Sequence, residues 1–284
     1  MKLNDLKKNL LDEIFKALEL GSSHPLRPLF EPLFAPATQR FAELAAGFDR
    51  DVKNHGFSEA ARRLLPRFTR EINVSGAERI PAQGPLLIVS NHPGTYDSLV
   101  IASNLPRPDL KIIASGVPFI RNLAATANYL IYSSLEPFER MKVVRATVRH
   151  LQNGGAVLIF PSGGIDPDPA IMPGALEELE TWSPSLEVIL RRVPSTLILI
   201  TAVSGVLHAG WVRSPFIRVR SGRRNQQRVT EFCQIIQQVL FPNSLLVNPS
   251  ICFAEPFALM PEGNSHFLPA IIASAKAHFR QFKG

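Results

Sequence analysis

No apolar run in this sequence is long enough to cross a bilayer. The longest, near Leu197 to Leu207, falls well short of the roughly 18 residues that a spanning helix needs. Cysteine is scarce as well. Cys233 and Cys252 lie in apolar surroundings without metal-ligand spacing, so free buried thiols in a reducing compartment are expected and no metal is. The segment Met1 to Lys8 reaches Asp12 and Glu13 without an unbroken apolar core, and is therefore not expected to be a signal peptide. Gly-x-Ser-x-Gly does not occur, which removes the usual nucleophile elbow. Internal repeats and low-complexity tracts are missing too. Acidic residues are the minority charge, 24 against 31 Lys and Arg.

The resulting charge of +7 suits anionic partners: a lipid surface, a nucleotide-bearing cofactor, an acidic carrier protein or a nucleic acid. An ordinary basic surface explains it equally well. With 284 residues, 45% of them hydrophobic, the chain has material for one large α/β domain and a helical extension.

Residues 1–75 read as a helical bundle or cap. Leu3, Leu6, Leu10, Ile14 and Leu18 recur at three- and four-residue steps, with Lys7, Lys8 and Lys16 among the polar positions and Gly21 as a stop. A second amphipathic segment, about 28–48, is marked by Phe30, Phe34, Phe41, Leu44 and Phe48; a third runs over about 58–68. Such faces either lie on lipid or pack on the main domain.

From residue 76 to the end the pattern predicts an α/β domain. Leu86–Val89, Lys111–Ala114, Tyr129–Tyr132, Ala156–Phe160 and Leu197–Thr201 read as buried strands, with helices expected over 98–104, 118–127, 137–153 and 175–192, the last broken at Pro184. This alternation implies a layered, mixed but largely parallel sheet flanked by helices. Further on, a helix over 229–240, a strand over 250–254 and a closing helix over 268–282 are expected. The stretch 211–230 holds Arg213, Arg218, Arg220, Arg223, Arg224 and Arg228 and no acid.

Two elements can carry chemistry. The first expected strand delivers Asn91 and His92 at its C-terminal end, where open α/β sheets bind ligands. Pro93 and Gly94 turn the chain, and Asp97 stands where the next helix begins. A carboxylate on one ring nitrogen would fix the tautomer of His92 and support the imidazolium formed when the other nitrogen takes a proton. The competing reading makes Asp97 a helix cap and His92 a loop residue. The second element, Phe160-Pro161-Ser162-Gly163-Gly164, follows a strong strand. Its small residues expose backbone N–H groups to a phosphate or an oxyanion, or simply make a turn.

Taken together, the two elements resemble the glycerolipid acyltransferase family, the lysophosphatidic acid and glycerol-phosphate acyltransferases. That family's first block is His, four residues, Asp, commonly after Asn, as in Asn91 to Asp97. Its third is Phe-Pro-Glu-Gly, and Phe160-Pro161-Ser162-Gly163 begins 63 positions after Asp97. Ile80 to Pro85 resembles its lead-in, and Pro194 with Leu197 to Gly205 its fourth block. The resemblance covers roughly residues 72–210.

It implies that His92 is a general base oriented by Asp97, and that the acceptor attacks the thioester of an acyl-CoA or acyl-carrier protein directly, without an acyl-enzyme. That thioester is a co-substrate and no bound cofactor is expected. Asn91, Ser133, Ser162, Gly163 and Gly164 are the expected substrate-binding residues. Arg213, Arg218, Arg220, Arg223 and Arg224 are expected to contact an anion or a membrane, with no nucleic acid involved. The expected location is cytoplasmic, peripheral at the inner face of the membrane. A catalytically silent homologue that only binds lipid or acyl chains is the alternative.

Two departures bear on the acceptor. Ser162 stands where the family has Glu. The stretch 130–134 offers hydroxyls where the family has a phosphate-binding Arg, and Arg121 and Arg140 do not match that position. Either the acceptor is not a glycerol phosphate, as in the ornithine-lipid branch, or the arginines from Arg213 to Arg228 supply the phosphate contacts instead.

Overall fold

A computed structural model of the chain describes residues 3–17, 27–115, 118–133, 137–259 and 266–282. Leu18, Gly21 and Ser134 lie outside these residues, as do the side chains of Leu3, Ile14, Lys16 and Phe30. The described elements run α1 (Leu3–Ala17), α2 (Arg27–His55), α3 (Phe57–Leu64), β1 (Asn73–Ser75), β2 (Leu86–Ser90), α4 (Asp97–Ser103) and β3 (Lys111–Ser115). Then come α5 (Pro118–Arg121), β4 (Leu130–Ser133), α6 (Pro137–Gln152), β5 (Ala156–Ile159), α7 (Ala175–Glu178) and α8 (Ser185–Arg192). The chain continues with β6 (Leu197–Ser204), α9 (Ala209–Val212), α10 (Pro215–Arg218), α11 (Arg223–Leu240), β7 (Ser250–Phe253) and α12 (Phe267–Gln281).

Seven strands form one sheet in the order β1-β7-β6-β2-β5-β3-β4. Every pairing is parallel except β6 with β7. The fold is thus the α/β layered, largely parallel sheet that the alternation predicts.

The central strands are apolar on both faces, and their alternation sends side chains into two separate cores. Leu86, Ile88, Leu158 and Leu199 point one way, onto Phe48 of α2, Phe57 of α3 and Val100 of α4. Leu87, Val89, Val157 and Ile200 point the other way, onto Leu151 of α6, Leu186 and Ile189 of α8, and Ile271 and Ala275 of α12. Strand β2 sits between β5 and β6 with Val89 opposite Ile159 and Ile200, so its C-terminal end is buried in the middle of the sheet.

Two local expectations are corrected. The last long helix before β7 starts at Arg223 and not Val229, because the Arg and Gln residues propagate a helix well once Gly222, at φ +78°, has turned the chain. Segment 118–127 is not one helix: α5 spans a single turn, and a 3₁₀ turn follows over Thr126–Tyr129.

Strand β1, at 73–75, pairs with β7 although all its side chains are exposed, so no burial pattern marked it in the sequence. The N-terminal helices are tied to the sheet domain by aromatic contacts. Phe15 meets Phe34 edge-on at 6.0 Å, Phe34 lies 6.0 Å from Phe232 of α11, and Phe41 meets Phe119 at 5.8 Å. Asp49 of α2 also accepts hydrogen bonds from the Thr126 N–H and hydroxyl, both at 2.8 Å.

Candidate active site

Strand β2 ends at Ser90, and Pro93-Gly94 swing the chain into α4, whose first residue is Asp97. The turn brings Asp97 Oδ2 to 2.8 Å from His92 Nδ1. A carboxylate can only accept, so Nδ1 carries the proton and Nε2 is the nitrogen left for other partners. The same oxygen accepts the Gly94 N–H at 3.1 Å, and Oδ1 accepts the Ser98 N–H at 2.6 Å. Asp97 is fully buried while the His92 side chain is 32% exposed, so the pair opens outward through its imidazole.

Burial of the ring works against its charge. The Asp97 carboxylate and its hydrogen bond outweigh that, Glu231 and Asp166 add smaller pulls, and the imidazole is pushed up to about 9.

The second element meets the first directly. The Phe160 ring stacks on His92 with centroids 4.5 Å apart and planes 20° from parallel. Asp166, six residues further along, accepts the His92 N–H at 2.8 Å and returns its own N–H to the His92 carbonyl at 2.9 Å. Loop 160–166 and the His92 turn are therefore one construction. Within that loop the Gly163 N–H closes the turn onto the Phe160 carbonyl, and Ser162 Oγ donates to the Gly164 carbonyl at 3.2 Å.

The remaining expected residues fall in different places. Asn91 is buried, with both ends of its amide on the Val203 backbone: Nδ2 donates to the carbonyl at 2.8 Å and Oδ1 accepts the N–H at 2.9 Å. It thereby fastens the His92 turn to β6. Ser133 ends edge strand β4, three strands away from β2, which at about 4.8 Å per strand is roughly 14 Å to the side.

Arg223 and Arg224 both pair with Glu178 at 2.8 Å. Arg223 also donates to the Ile165 carbonyl at 3.1 Å, so it braces the loop behind the site. Arg213 and Arg218 are exposed, and Arg220 lies over the Phe216 ring at 5.6 Å.

Several residues at the site had no place in the sequence reading. Asp168 is buried and accepts four backbone N–H groups, from Ala170, Gly205, Val206 and Leu207, at 2.8 to 3.0 Å. Burial raises its carboxyl and these four donors oppose the rise. On α11, Gln227 donates to the carbonyls of Pro93 and Asp166, and Gln234 to Tyr96 Oη and the Val206 carbonyl. Gln238 donates to the carbonyls of Phe68 and Leu245. Glu231 Oε2 accepts from the Thr95 hydroxyl at 2.7 Å. Residues 227, 231, 234 and 238 make a polar stripe at helical spacing. The stripe was legible as a period, but a polar stripe ordinarily marks the solvent side.

Two apolar cavities adjoin the turn. One, of about 200 Å³, runs under α2 and α3 between Phe48, Phe57, Tyr96, Leu99 and Leu130. The other, of about 380 Å³, lies between α1, α2 and α11. Thr95, Phe41, Phe119 and Ile235 line both.

The His92–Asp97 pair thus stands at the end of a central parallel strand, stacked on the Phe160-Pro161-Ser162-Gly163 loop. Residues 71–181 match the family model described as Acyltransferase. The similarity to that family is confined to these residues, which hold both the His92–Asp97 turn and the Phe160 loop. Among solved structures it is similar to the 1-acyl-sn-glycerophosphate (LPA) acyltransferase PlsC from Thermotoga maritima, with 14% identity, a TM-score of 0.47 and 99% of each chain covered. No curated protein matches the sequence.

Proposed function

We propose that this acyltransferase moves a fatty acyl group from an acyl-CoA or acyl-carrier-protein thioester to a hydroxyl of a lysolipid or glycerol-phosphate-like acceptor. The observation that carries the reading is the 2.8 Å bond from His92 Nδ1 to a fully buried carboxylate. It orients the ring so that Nε2 accepts the acceptor's proton as its oxygen attacks the thioester carbonyl. The carbon–sulfur bond then breaks, and the thiol leaves with a proton from the imidazolium. Phe160 holds the ring plane by stacking, and the Ser162 hydroxyl is the polar side chain that loop 160–164 offers to the reacting groups. An acyl chain has apolar room in the cavity beneath α2 and α3, whose wall includes Thr95 of the same turn.

The test is acyl transfer by the purified protein against a panel of lyso-lipid acceptors, with both kinds of donor. General base catalysis contributes about 10²- to 10⁴-fold, so His92→Ala is expected to lose that much. Equal rates for wild type and variant would sink the reading and leave the lipid-binding homologue as the alternative.

A further inference from the structure

Glu231 is the one acid in the buried-facing stripe of α11, and it is used differently from its neighbours. Gln227, Gln234 and Gln238 each donate to fixed backbone carbonyls, which a carboxylate cannot do. Glu231 spends one oxygen on Thr95, in the catalytic turn, while its Oε1 is enclosed and has no hydrogen-bond partner among the described residues. The Gln238 side-chain oxygen is also unpartnered, but that residue lies outside the linings of both cavities. Glu231 lines the larger one, among Leu10, Phe41, Phe119, Phe232 and Ile235, with the exposed Arg228 one turn earlier on the same helix.

A carboxylate oxygen shut away from water without a donor is costly, and a cationic N–H donor is the partner that best relieves it. The walls around it suit an alkyl chain. A glutamine would have served the stripe's structural purpose, so the acid marks a ligand.

We infer that the cavity between α1, α2 and α11 binds an amphiphile through a protonated amine on Glu231 and an alkyl chain on the aromatic walls. Resting on the acyl-transfer reading, this makes the acceptor an amine-bearing lipid, whose separate hydroxyl reacts at His92. Thr95, on the wall shared with the second cavity, links the amine site to the catalytic turn. Burial raises the Glu231 carboxyl to about 7, against the pull of the Thr95 hydrogen bond, so the amine site charges near neutrality.

The experiment measures binding and needs no turnover, so it stands or falls apart from the acyl-transfer assay. The whole protein is titrated with decylamine and with decanol. Wild type is expected to bind decylamine at least about tenfold tighter, a preference that grows as pH rises through about 7 and Glu231 ionises. In Glu231→Gln that preference is expected to collapse to within about threefold, with decanol affinity little changed. Equal affinity of wild type for the two probes would overturn the inference, whatever the variant does. So would a Glu231→Gln protein that keeps the amine preference, or one that loses both ligands alike.

Discussion

At the scale of single residues, the consequences follow from one proton. With its imidazole pushed up to about 9, His92 holds its second proton at neutral pH, and the proposed mechanism needs it neutral to act as a base. The rate constant kcat/KM is therefore expected to rise with pH until about 9. Asp97→Asn removes the main cause of the upward shift, so the rising limb should move toward the ordinary imidazole value near 6.5 while kcat falls because the ring loses its orienter. A pH–rate profile that is the same in both proteins would contradict this assignment. The sign for stability is the same. A folded-state value raised above the unfolded one adds stability that is complete below about 6.5 and disappears as pH rises through about 9. Thermal melting of wild type should fall across that window, and Asp97→Asn should lack that component.

At the scale of elements, the His92 turn owes its shape to neighbours far away in sequence. Asn91 ties it to Val203, Asp166 to loop 160–166, and Gln227 joins the Pro93 and Asp166 carbonyls. Asp168 does the same for the end of β6. In Asp168→Ala four N–H groups, those of Val206 and Leu207 buried, lose their acceptor at once. At about 1–3 kcal/mol for each unsatisfied group, reduced where water enters, a loss of at least about 3 kcal/mol is expected in denaturant unfolding. A change below about 1 kcal/mol would mean that this anchor matters little. The strands and helices were legible because their apolar period is strong. The anchors were not, since Asp166 precedes one proline and Asp168 stands between two, in what reads as an ordinary turn. The stripe of 227, 231, 234 and 238 was visible as a period but carries polar residues, which sequence alone assigns to solvent.

At the scale of the whole molecule, part of the positive charge stands beside exposed apolar side chains. Phe216 is 51% and Val219 80% exposed, next to Arg213, Arg218 and Arg220. Among the described residues no helix is long and apolar enough to cross a membrane. A patch of arginines around exposed apolar groups suits the surface of an anionic bilayer. Co-sedimentation with phosphatidylglycerol vesicles is expected at low salt, weakening as salt screens the charge, and the double variant Phe216→Ser, Val219→Ser should bind several-fold less. Retention of full binding by that variant would place the contact elsewhere.

The sequence by itself determined the sheet's central strands, the resemblance to acyltransferases and the spacing of His92 and Asp97, because each is a local pattern of period or spacing. Tertiary structure alone decided what surrounds that pair. It stacked Phe160 on His92, turned Asn91 onto β6 and set Arg223 and Arg224 on Glu178. It also brought Glu231, well over a hundred positions from His92, onto Thr95 of the His92 turn. The physical reason is that a hydrogen bond or a ring stack needs its partners a few ångströms apart in space. Distance along the chain does not report that separation once a parallel sheet has brought its strand ends together.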